Sequence, residues 1–343
     1  IRDRNGSRRG QGRHAVRKSA GGGGVPSEWR PESCAIFKGC EKRAPELHCT
    51  TIIMSKTPNR QPKAMPGAVR AYLVTYNLVC FLGWLRILIG IIQFMVQGSQ
   101  SRPIMYNWSL ELLERVRPLM VTIAPPSYRD WPFPVNVVLQ RASGMHAYVG
   151  SAVLVMQSTA VLEVVHALLG WVKANPMVVG MQVASRVLIL WFVSEQYQAA
   201  ATSPFYALMV FAWSLSEVAR YPFYVNQLLD SQSYMALWAR YSMFTVLFPL
   251  GVLGEVQLIW ASLPTHQPWP WVDPRGWSLR DLTFLAVLPT YAPGLYILYT
   301  GLLATRRKVL GNDFLGTKAR DELRRRQAEH FAKISRPLHN KVE

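Results

Sequence analysis

The sequence predicts an all-α membrane protein, in which six transmembrane helices form a bundle and both termini lie in the cytosol. Two observations carry this prediction: long apolar runs fill the middle of the chain, and basic charge is concentrated at its two ends. The 343 residues include 38 Lys and Arg against 20 Asp and Glu, a net charge of +18. Residues 1–70 and 305–343, at +10 and +6, hold 16 of the 18 charges. The nearly neutral middle is typical of helices that lie in lipid.

The six expected helices follow from the lengths of the apolar runs. A bilayer core about 30 Å thick requires roughly 20 mostly apolar helical residues. Runs of suitable length lie at about 71–96, 146–172, 176–194, 204–228, 240–262 and 282–304. The polar stretch 99–144 contains several prolines and is too irregular to span. The segment around Trp269 and Trp271 suits an interfacial loop because Trp favours the headgroup region.

The charged ends set the expected topology. Six spans place both termini on one side, and Arg306, Arg307 and Lys308 directly follow the sixth run. The positive-inside rule therefore places both ends in the cytosol. Arg324, Arg325 and Arg326 are expected on a short helix near anionic lipid. Nucleic acid is not an expected partner, because the basic ends lack interleaved aromatic residues.

The chain is accordingly expected to have three parts. They are a disordered basic leader at 1–70, a six-span membrane domain at 71–304 and a basic cytosolic tail at 305–343. The first Met is Met54, after an Arg- and Gly-rich stretch at 1–53, and we expect the protein to begin there. The alternative for 1–53 is an organellar transit peptide, because acidic residues are few in it.

Ionisable side chains inside the apolar runs are few. A charge in hydrocarbon costs several kcal/mol, so such a group usually faces the bundle interior and marks a site or an inter-helix ion pair. These side chains are Glu163, His166, Arg186, Glu217, Arg220, Arg240 and Glu255. Spacing of four residues adds Gln182 to the face of Arg186, and it adds Tyr221 to that of Glu217. For Arg220 and Arg240, at the ends of their runs, a structural snorkelling role is the open alternative.

Glu255 stands out because of the residues before it. Pro249 is expected to kink or break the helix, while Gly251 and Gly254 allow close approach of a neighbour or ligand. An interrupted intramembrane helix ending on an acid is typical of a catalytic or transport site. No metal or cofactor is expected, because the sequence has no Walker, dinucleotide or histidine-cluster motif.

Several ordered segments resemble the very-long-chain (3R)-3-hydroxyacyl-CoA dehydratases, also called protein tyrosine phosphatase-like proteins. The matching segments are LEVVHALLG at 162–170, QVASR at 182–186, WSLSEVARYPFY at 213–224, Arg240-Tyr241, FPLGVLGE at 248–255 and YAPG at 291–294. The resemblance covers about residues 71–310. Cys80 and Arg86 also fit the C-x5-R pattern of true phosphatases, but they lie in an apolar run without a phosphate-binding loop, so that activity is not expected.

The resemblance implies an enzyme of the endoplasmic reticulum membrane that acts in fatty-acid elongation. It implies removal of water from a (3R)-3-hydroxyacyl-CoA to give the trans-2-enoyl-CoA, without a cofactor. It further implies the condensing enzyme, the ketoacyl reductase and the enoyl reductase as partners. The implied polar site comprises Glu163, His166, Gln182, Arg186, Glu217, Arg220, Tyr221, Arg240, Tyr241, Gly251 and Glu255.

One catalytic position departs from the family. The family's acid–base pair is a Tyr and a Glu seven residues apart; the Glu corresponds to Glu255 and the Tyr to Phe248, which has no hydroxyl. Tyr241 lies roughly 21 Å away from Glu255 by helical rise, too far to replace it. Tyr221, Tyr224, His166 or a water are the alternatives considered.

Three interpretations therefore stay open: a slow enzyme, an enzyme with a relocated acid, and a non-catalytic scaffold of the elongase complex. The intact polar set favours an enzyme, since buried charges without a role would only cost stability. A hydroxyl beside Glu255 would favour a relocated acid, and a closed apolar site would favour the scaffold.

Overall fold

A computed structural model of the protein describes residues 65–98, 131–231 and 233–339. The leader up to residue 64, including Met54, lies outside these residues, as does most of the stretch 99–144. The described residues are helical and contain no β-strand.

Helices occupy all six of the expected runs. The α-helices of the described residues, inside and outside these runs, are α1 Gly67–Gln97, α2 Val135–Ser143, α3 Met145–Thr159, α4 Val161–Leu168, α5 Pro176–Ile189, α6 Gln198–Ala201, α7 Pro204–Leu228, α8 Tyr234–Ser242, α9 Phe244–Ala261, α10 Leu279–Val287, α11 Tyr291–Leu310 and α12 Thr317–His339. A π-helical turn at Leu190–Ser194 extends α5, and a 3-10 turn at Leu288–Thr290 joins α10 to α11.

Five stretches within the described ranges are long and apolar enough to cross a membrane. They are Gly67–Gln97, Met145–Leu168, Pro176–Ser194, Phe244–Ala261 and Leu279–Leu310. The helix in the fourth expected run, α7, is not among them. It carries Glu217 and Arg220 near its middle, and these charges lower its hydropathy.

Local sequence explains where several helices begin. Asn175 accepts a hydrogen bond from the Met177 amide and precedes Pro176, which takes the first position of α5. Ser203 and Pro204 begin α7 in the same way. Proline fits this position because the amide it lacks would have had no partner within the helix. The predicted helix break before Pro176 is thereby confirmed.

Helix α7 lies at the centre of the packing. It contacts α1 and α9 most extensively, and α2, α3 and α8 as well. Its buried side chains include Tyr206, Met209, Trp213 and Tyr221. Polar groups on α7 are therefore enclosed by other helices.

Helix α9 continues through Pro249 to Ala261, so the helix is not broken at this residue, and the expected kink there stays a prediction. A proline inside a helix leaves the carbonyl four residues earlier without its amide donor. Here that carbonyl belongs to Thr245, and the Tyr299 hydroxyl of α11 donates a hydrogen bond to it at 3.1 Å. The neighbouring helix thus supplies the missing donor, which allows α9 to continue.

The Trp-rich loop and the basic tail follow α9 and α11. Trp269 stacks between Trp271 and Trp277, with ring centroids 5.0 and 5.8 Å away. The tail contains α12, which carries the predicted arginine cluster; Arg325 and Arg326 form ion pairs with Glu322 at 2.8 and 3.0 Å. The helix expected for this cluster is confirmed and is longer than predicted.

Candidate active site

Glu255 is buried between three helices and each of its carboxylate oxygens has a donor. The Trp213 indole nitrogen of α7 donates to Oε1 at 3.2 Å. The Tyr291 hydroxyl, at the start of α11, donates to Oε2 at 3.2 Å. Only 9% of the Glu255 surface is exposed. A carboxylate and a phenol in direct contact form a pair that can exchange a proton.

Tyr291 is the residue that sequence reasoning missed. It belongs to the YAPG segment that carried part of the family resemblance, but nothing in its spacing connects it with Glu255. The two residues are 36 positions apart, with the Trp-rich loop between them. Tyr291 is half-buried, so its ring packs on the core while part of it stays accessible.

A polar ladder extends from Glu255 along one face of α7. Trp213, Glu217 and Arg220 share this face because they are four and three residues apart. Arg186 of α5 donates to Glu217 Oε1 at 2.6 Å, and its guanidinium lies over the Trp213 ring, 5.0 Å from the centroid. Arg186 therefore connects the two α7 side chains, one of which contacts Glu255.

Arg220 holds two carboxylates at the other end of the ladder. It forms a bidentate pair with Glu163 of α4, at 2.9 and 2.7 Å. Its Nε lies 2.6 Å from Glu217 Oε2. The Tyr221 hydroxyl also donates to Glu163 Oε1 at 2.8 Å. These contacts favour the ion-pair interpretation of Arg220 over a snorkelling one.

The ladder is close to neutral overall. Its carboxylates are Glu163, Glu217 and Glu255, and its guanidinium groups are Arg186 and Arg220. Buried charges are tolerated when they are paired and hydrogen-bonded, because an unpaired charge would carry the full desolvation penalty. The arrangement explains how these residues are accommodated inside a bundle.

Three of the predicted site residues lie elsewhere. His166 makes a hydrogen bond with the Tyr72 hydroxyl at 3.0 Å and stacks on Trp171. Gln182 is exposed on α5, one turn before Arg186. The Tyr241 ring meets Phe223 edge-on, with centroids 5.8 Å apart. His166 and Tyr221 are thus engaged with groups other than Glu255.

The glycines on α9 explain its close approach to α7. A Cβ built on Gly251 would lie 3.5 Å from the Trp213 indole, which is ordinary van der Waals contact. A Cβ on Gly254 would lie 2.6 Å from Met209 Cβ. Phe248 is half-buried two turns before Glu255 and offers only a ring. The predicted close approach of a neighbour is therefore confirmed most strongly at Gly254.

An apolar groove borders the same part of α9. Its volume is about 340 Å³, and it is lined by Val256, Gln257, Trp260 and Leu288. Val256 directly follows Glu255, and Leu288 lies one turn before Tyr291. Among the described side chains, no group of three or more His, Cys, Asp or Glu is placed to hold a metal ion.

His146 and Glu195 form a second buried polar pair, which the sequence did not predict. His146 Nε2 of α3 lies 2.8 Å from Glu195 Oε1, just after the π-helical turn. Their side chains are 8% and 3% exposed. Both residues stand at the edges of apolar runs, so the hydropathy pattern did not mark them as intramembrane.

Comparison with known proteins agrees with the geometry. The family described as "Protein tyrosine phosphatase-like protein, PTPLA" matches residues 157–312, which contain every member of the ladder as well as Tyr291. A protein of Canis lupus familiaris named very-long-chain (3R)-3-hydroxyacyl-CoA dehydratase 1 is 32% identical over 181 residues, covering 51% of this chain and 73% of the relative. A Mus musculus protein named very-long-chain (3R)-3-hydroxyacyl-CoA dehydratase 2 is 30% identical over 258 residues, covering 73% of this chain and 85% of the relative.

A fungal relative is similar as well. The Schizosaccharomyces pombe protein named probable very-long-chain (3R)-3-hydroxyacyl-CoA dehydratase is 37% identical over 155 residues, covering 45% of this chain and 71% of the relative. No solved structure matches the chain significantly.

Proposed function

The chain belongs to the family of very-long-chain (3R)-3-hydroxyacyl-CoA dehydratases, and we propose that it removes water from a (3R)-3-hydroxyacyl-CoA to give the trans-2-enoyl-CoA. This makes it a hydro-lyase of fatty-acid elongation. The observation that carries the proposal is the buried Glu255 carboxylate, held by donors from two other helices. The two donors make the surroundings of this carboxylate polar, which supports an enzyme over the scaffold alternative.

Glu255 acts as the catalytic base in this proposal. The proton at C2 of the substrate is acidified by the thioester, and a carboxylate with few surrounding waters can remove it. The Trp213 hydrogen bond holds Oε1 of Glu255 in place. Because the carboxylate is rigid, this also fixes the position of Oε2. Glu163, Arg186, Glu217 and Arg220 support this geometry through ion pairs that connect α4 and α5 to α7. Gly251 lets α9 approach Trp213, and Arg240 on α8 stays a predicted member of the polar site.

We assign α7 as a sixth membrane span, together with the five apolar stretches. Its 25 residues extend about 37 Å, enough for a bilayer core about 30 Å thick. Its charges are paired and enclosed by α1 and α9, so lipid need not solvate them. The membrane domain is then 71–304, between the basic leader and the tail at 305–343.

The basic ends support a cytosolic location for both termini. Arg307 and Lys308 stand in the last turn of α11, at the end of the stretch Leu279–Leu310. With fatty-acid elongation as the process, the proposed location is the endoplasmic reticulum membrane. The tail then faces anionic lipid on the cytosolic side.

The reaction defines the proposed partners. A ketoacyl reductase supplies a 3-hydroxyacyl-CoA, and an enoyl reductase consumes the product, while a condensing enzyme begins the cycle. An assembly of these enzymes would pass an insoluble acyl chain between sites in one membrane.

Turnover by the purified protein tests the proposal directly. The full chain in detergent, given a long-chain (3R)-3-hydroxyacyl-CoA, is expected to form the enoyl-CoA, while the (3S) isomer is not converted. Glu255→Gln is expected to lose at least 10²-fold in rate, because the amide cannot accept the C2 proton. If both the wild type and Phe248→Tyr are inert, the enzyme proposal is wrong and the scaffold alternative remains.

A further inference from the structure

We propose that Tyr291 is the proton donor of the dehydration and replaces the hydroxyl that Phe248 lacks. The inference rests on the proposed function and adds a second catalytic residue to Glu255. It differs from the family's arrangement, in which both groups lie on one helix. Here the acid comes from α11 and the base from α9.

The contact between Tyr291 and Glu255 carries the inference. The hydroxyl lies 3.2 Å from Oε2, while Trp213 occupies Oε1, so the phenol is directed to the oxygen that the indole leaves available. Tyr291 is half-buried, so part of its ring stays accessible. In this proposal the 3-hydroxyl of the substrate binds where both the phenol and the Glu255 carboxylate can reach it.

The other candidates have different partners. The Tyr221 hydroxyl donates to Glu163 and accepts from Arg220 at 3.0 Å. His166 is paired with Tyr72. Phe248 offers no hydroxyl, although it lies two turns from Glu255 on the same helix. Among the described residues, Tyr291 is the phenol that hydrogen-bonds to the Glu255 carboxylate.

The proposed step balances without an external reagent. Glu255 takes the C2 proton, and the C–H electron pair forms the C2–C3 double bond. The C3–O bond breaks as the Tyr291 hydroxyl gives its proton to the departing oxygen, which leaves as water. The protonated Glu255 then returns its proton to the tyrosinate along their hydrogen bond, and both residues regain their starting forms.

A second tyrosine on α11 provides a matched control. Tyr299 lies eight residues after Tyr291, so both side chains point towards α9 two turns apart. Its hydroxyl also makes a hydrogen bond to α9, but to the Thr245 carbonyl and not to a carboxylate. Tyr299→Phe removes the same atom from the same helix interface without touching Glu255.

The experiment compares steady-state turnover of full-length variants in detergent. We expect Tyr291→Phe to lower kcat by 10²–10⁴-fold with little change in KM, the usual effect of losing one acid–base group. Tyr299→Phe is expected to stay within about threefold of the wild-type kcat when assayed below its unfolding temperature, because general acid catalysis does not involve it. The double variant Phe248→Tyr/Tyr291→Phe is expected to have a kcat at least tenfold above that of Tyr291→Phe alone, since the hydroxyl returns to the family's position.

The outcomes separate this proposal from the proposed function. If Glu255→Gln is inactive while Tyr291→Phe turns over like the wild type, Tyr291 is not the acid, and the dehydratase assignment stands. Equal losses in Tyr291→Phe and Tyr299→Phe would assign the effect to packing and overturn the proposal. A wild type that forms no enoyl-CoA overturns both. Tyr291→Leu, which also lacks the hydroxyl, gives the same comparison if Tyr291→Phe is recovered in poor yield.

Discussion

Gly254 and Met209 bring the backbones of α9 and α7 into direct contact. A Cβ on Gly254 would lie 2.6 Å from Met209 Cβ, 3.0 Å from its Cα and 3.1 Å from its amide nitrogen. Two of these atoms belong to the backbone, so rotation of a side chain cannot relieve the clash. The position of Glu255, the next residue, depends on this approach because Trp213 donates to it from α7.

Gly254→Ala is therefore expected to destabilise the protein. Overpacking of this kind costs about 1–3 kcal/mol, because α9 must move away from α7. Gly251→Ala is the control, since its new Cβ meets Trp213 at an ordinary 3.5 Å. Thermal unfolding in detergent measures both. The packing argument would be contradicted if the two alanines lowered the unfolding temperature equally.

Arg220→Met is expected to destabilise the bundle strongly. It leaves Glu163 without a cation, while Glu217 keeps Arg186, and an unpaired buried charge typically costs about 3–5 kcal/mol. The matched control is Arg70→Met. Arg70 pairs with Asp230 at 2.7 Å, but their side chains are 42% and 84% exposed. An exposed pair contributes about 0–1 kcal/mol.

Chemical denaturation of the two variants checks this difference. A large loss for Arg220→Met beside a small one for Arg70→Met would support the ladder as a stabilising, paired network. Similar small losses would mean that water reaches Glu163 and Glu217 and screens them.

Tyr299→Phe is expected to reduce stability through Pro249. The variant removes the donor to the carbonyl of the half-buried Thr245, and an unsatisfied acceptor costs up to about 1–3 kcal/mol when it is fully buried. Pro249→Ala restores a backbone amide that can bond to the same carbonyl. The cost of Tyr299→Phe should therefore shrink in a Pro249→Ala background, as measured by a double-mutant cycle. An unchanged cost in both backgrounds would show that the hydroxyl acts in another way.

The start of α12 is expected to loosen in acid. Asp313 Oδ2 accepts hydrogen bonds from the Thr317 amide at 2.7 Å and its hydroxyl at 2.9 Å. These bonds hold the pKa of Asp313 below its usual range, with the backbone amide the main cause. A lowered folded-state pKa means that this stabilisation is present above the ordinary value of 3.8 and is lost as the pH falls through the folded-state value.

Hydrogen exchange at the Thr317 amide tests this dependence. After correction for the intrinsic exchange rate, protection should fall as the pH drops below 3.8, the ordinary value. Asp313→Asn, which cannot titrate, should show no such change. A pH response of equal size in Asp313→Asn would assign the loosening to another group.

Helix positions were largely predictable because apolar length is a local property. The runs beginning near 71 and 176 correspond to α1 and α5, and proline at the first position marked the start of α5. The continuation of α9 through Pro249 could not be predicted, because the hydroxyl that bonds to the free carbonyl belongs to Tyr299, 50 residues further along the chain. The proposal that α7 spans the membrane likewise depends on tertiary structure, since its charges are acceptable in lipid only if other helices enclose them.

The ionic members of the site were also predictable in part. Glu163, Arg186 and Glu217 stood out because a charge in an apolar run is costly unless it is paired. Their actual pairing, with Arg186 on Glu217 and Arg220 between Glu163 and Glu217, follows from helix rotation and depth. Gln182 shared the helical spacing of Arg186 but lies exposed, because a four-residue interval leaves two side chains on one face without fixing how far each is buried.

The sequence by itself determined the helical class and the family, and it singled out Glu255 as the proposed catalytic carboxylate, because hydropathy, buried charge and ordered segments are all written along the chain. It also revealed the hydroxyl missing at Phe248. Only the tertiary structure decided which group stands beside Glu255. Tyr291 reaches it from another helix, 36 residues away. Such a contact depends on how two helices pack against each other, and no spacing within either helix specifies that.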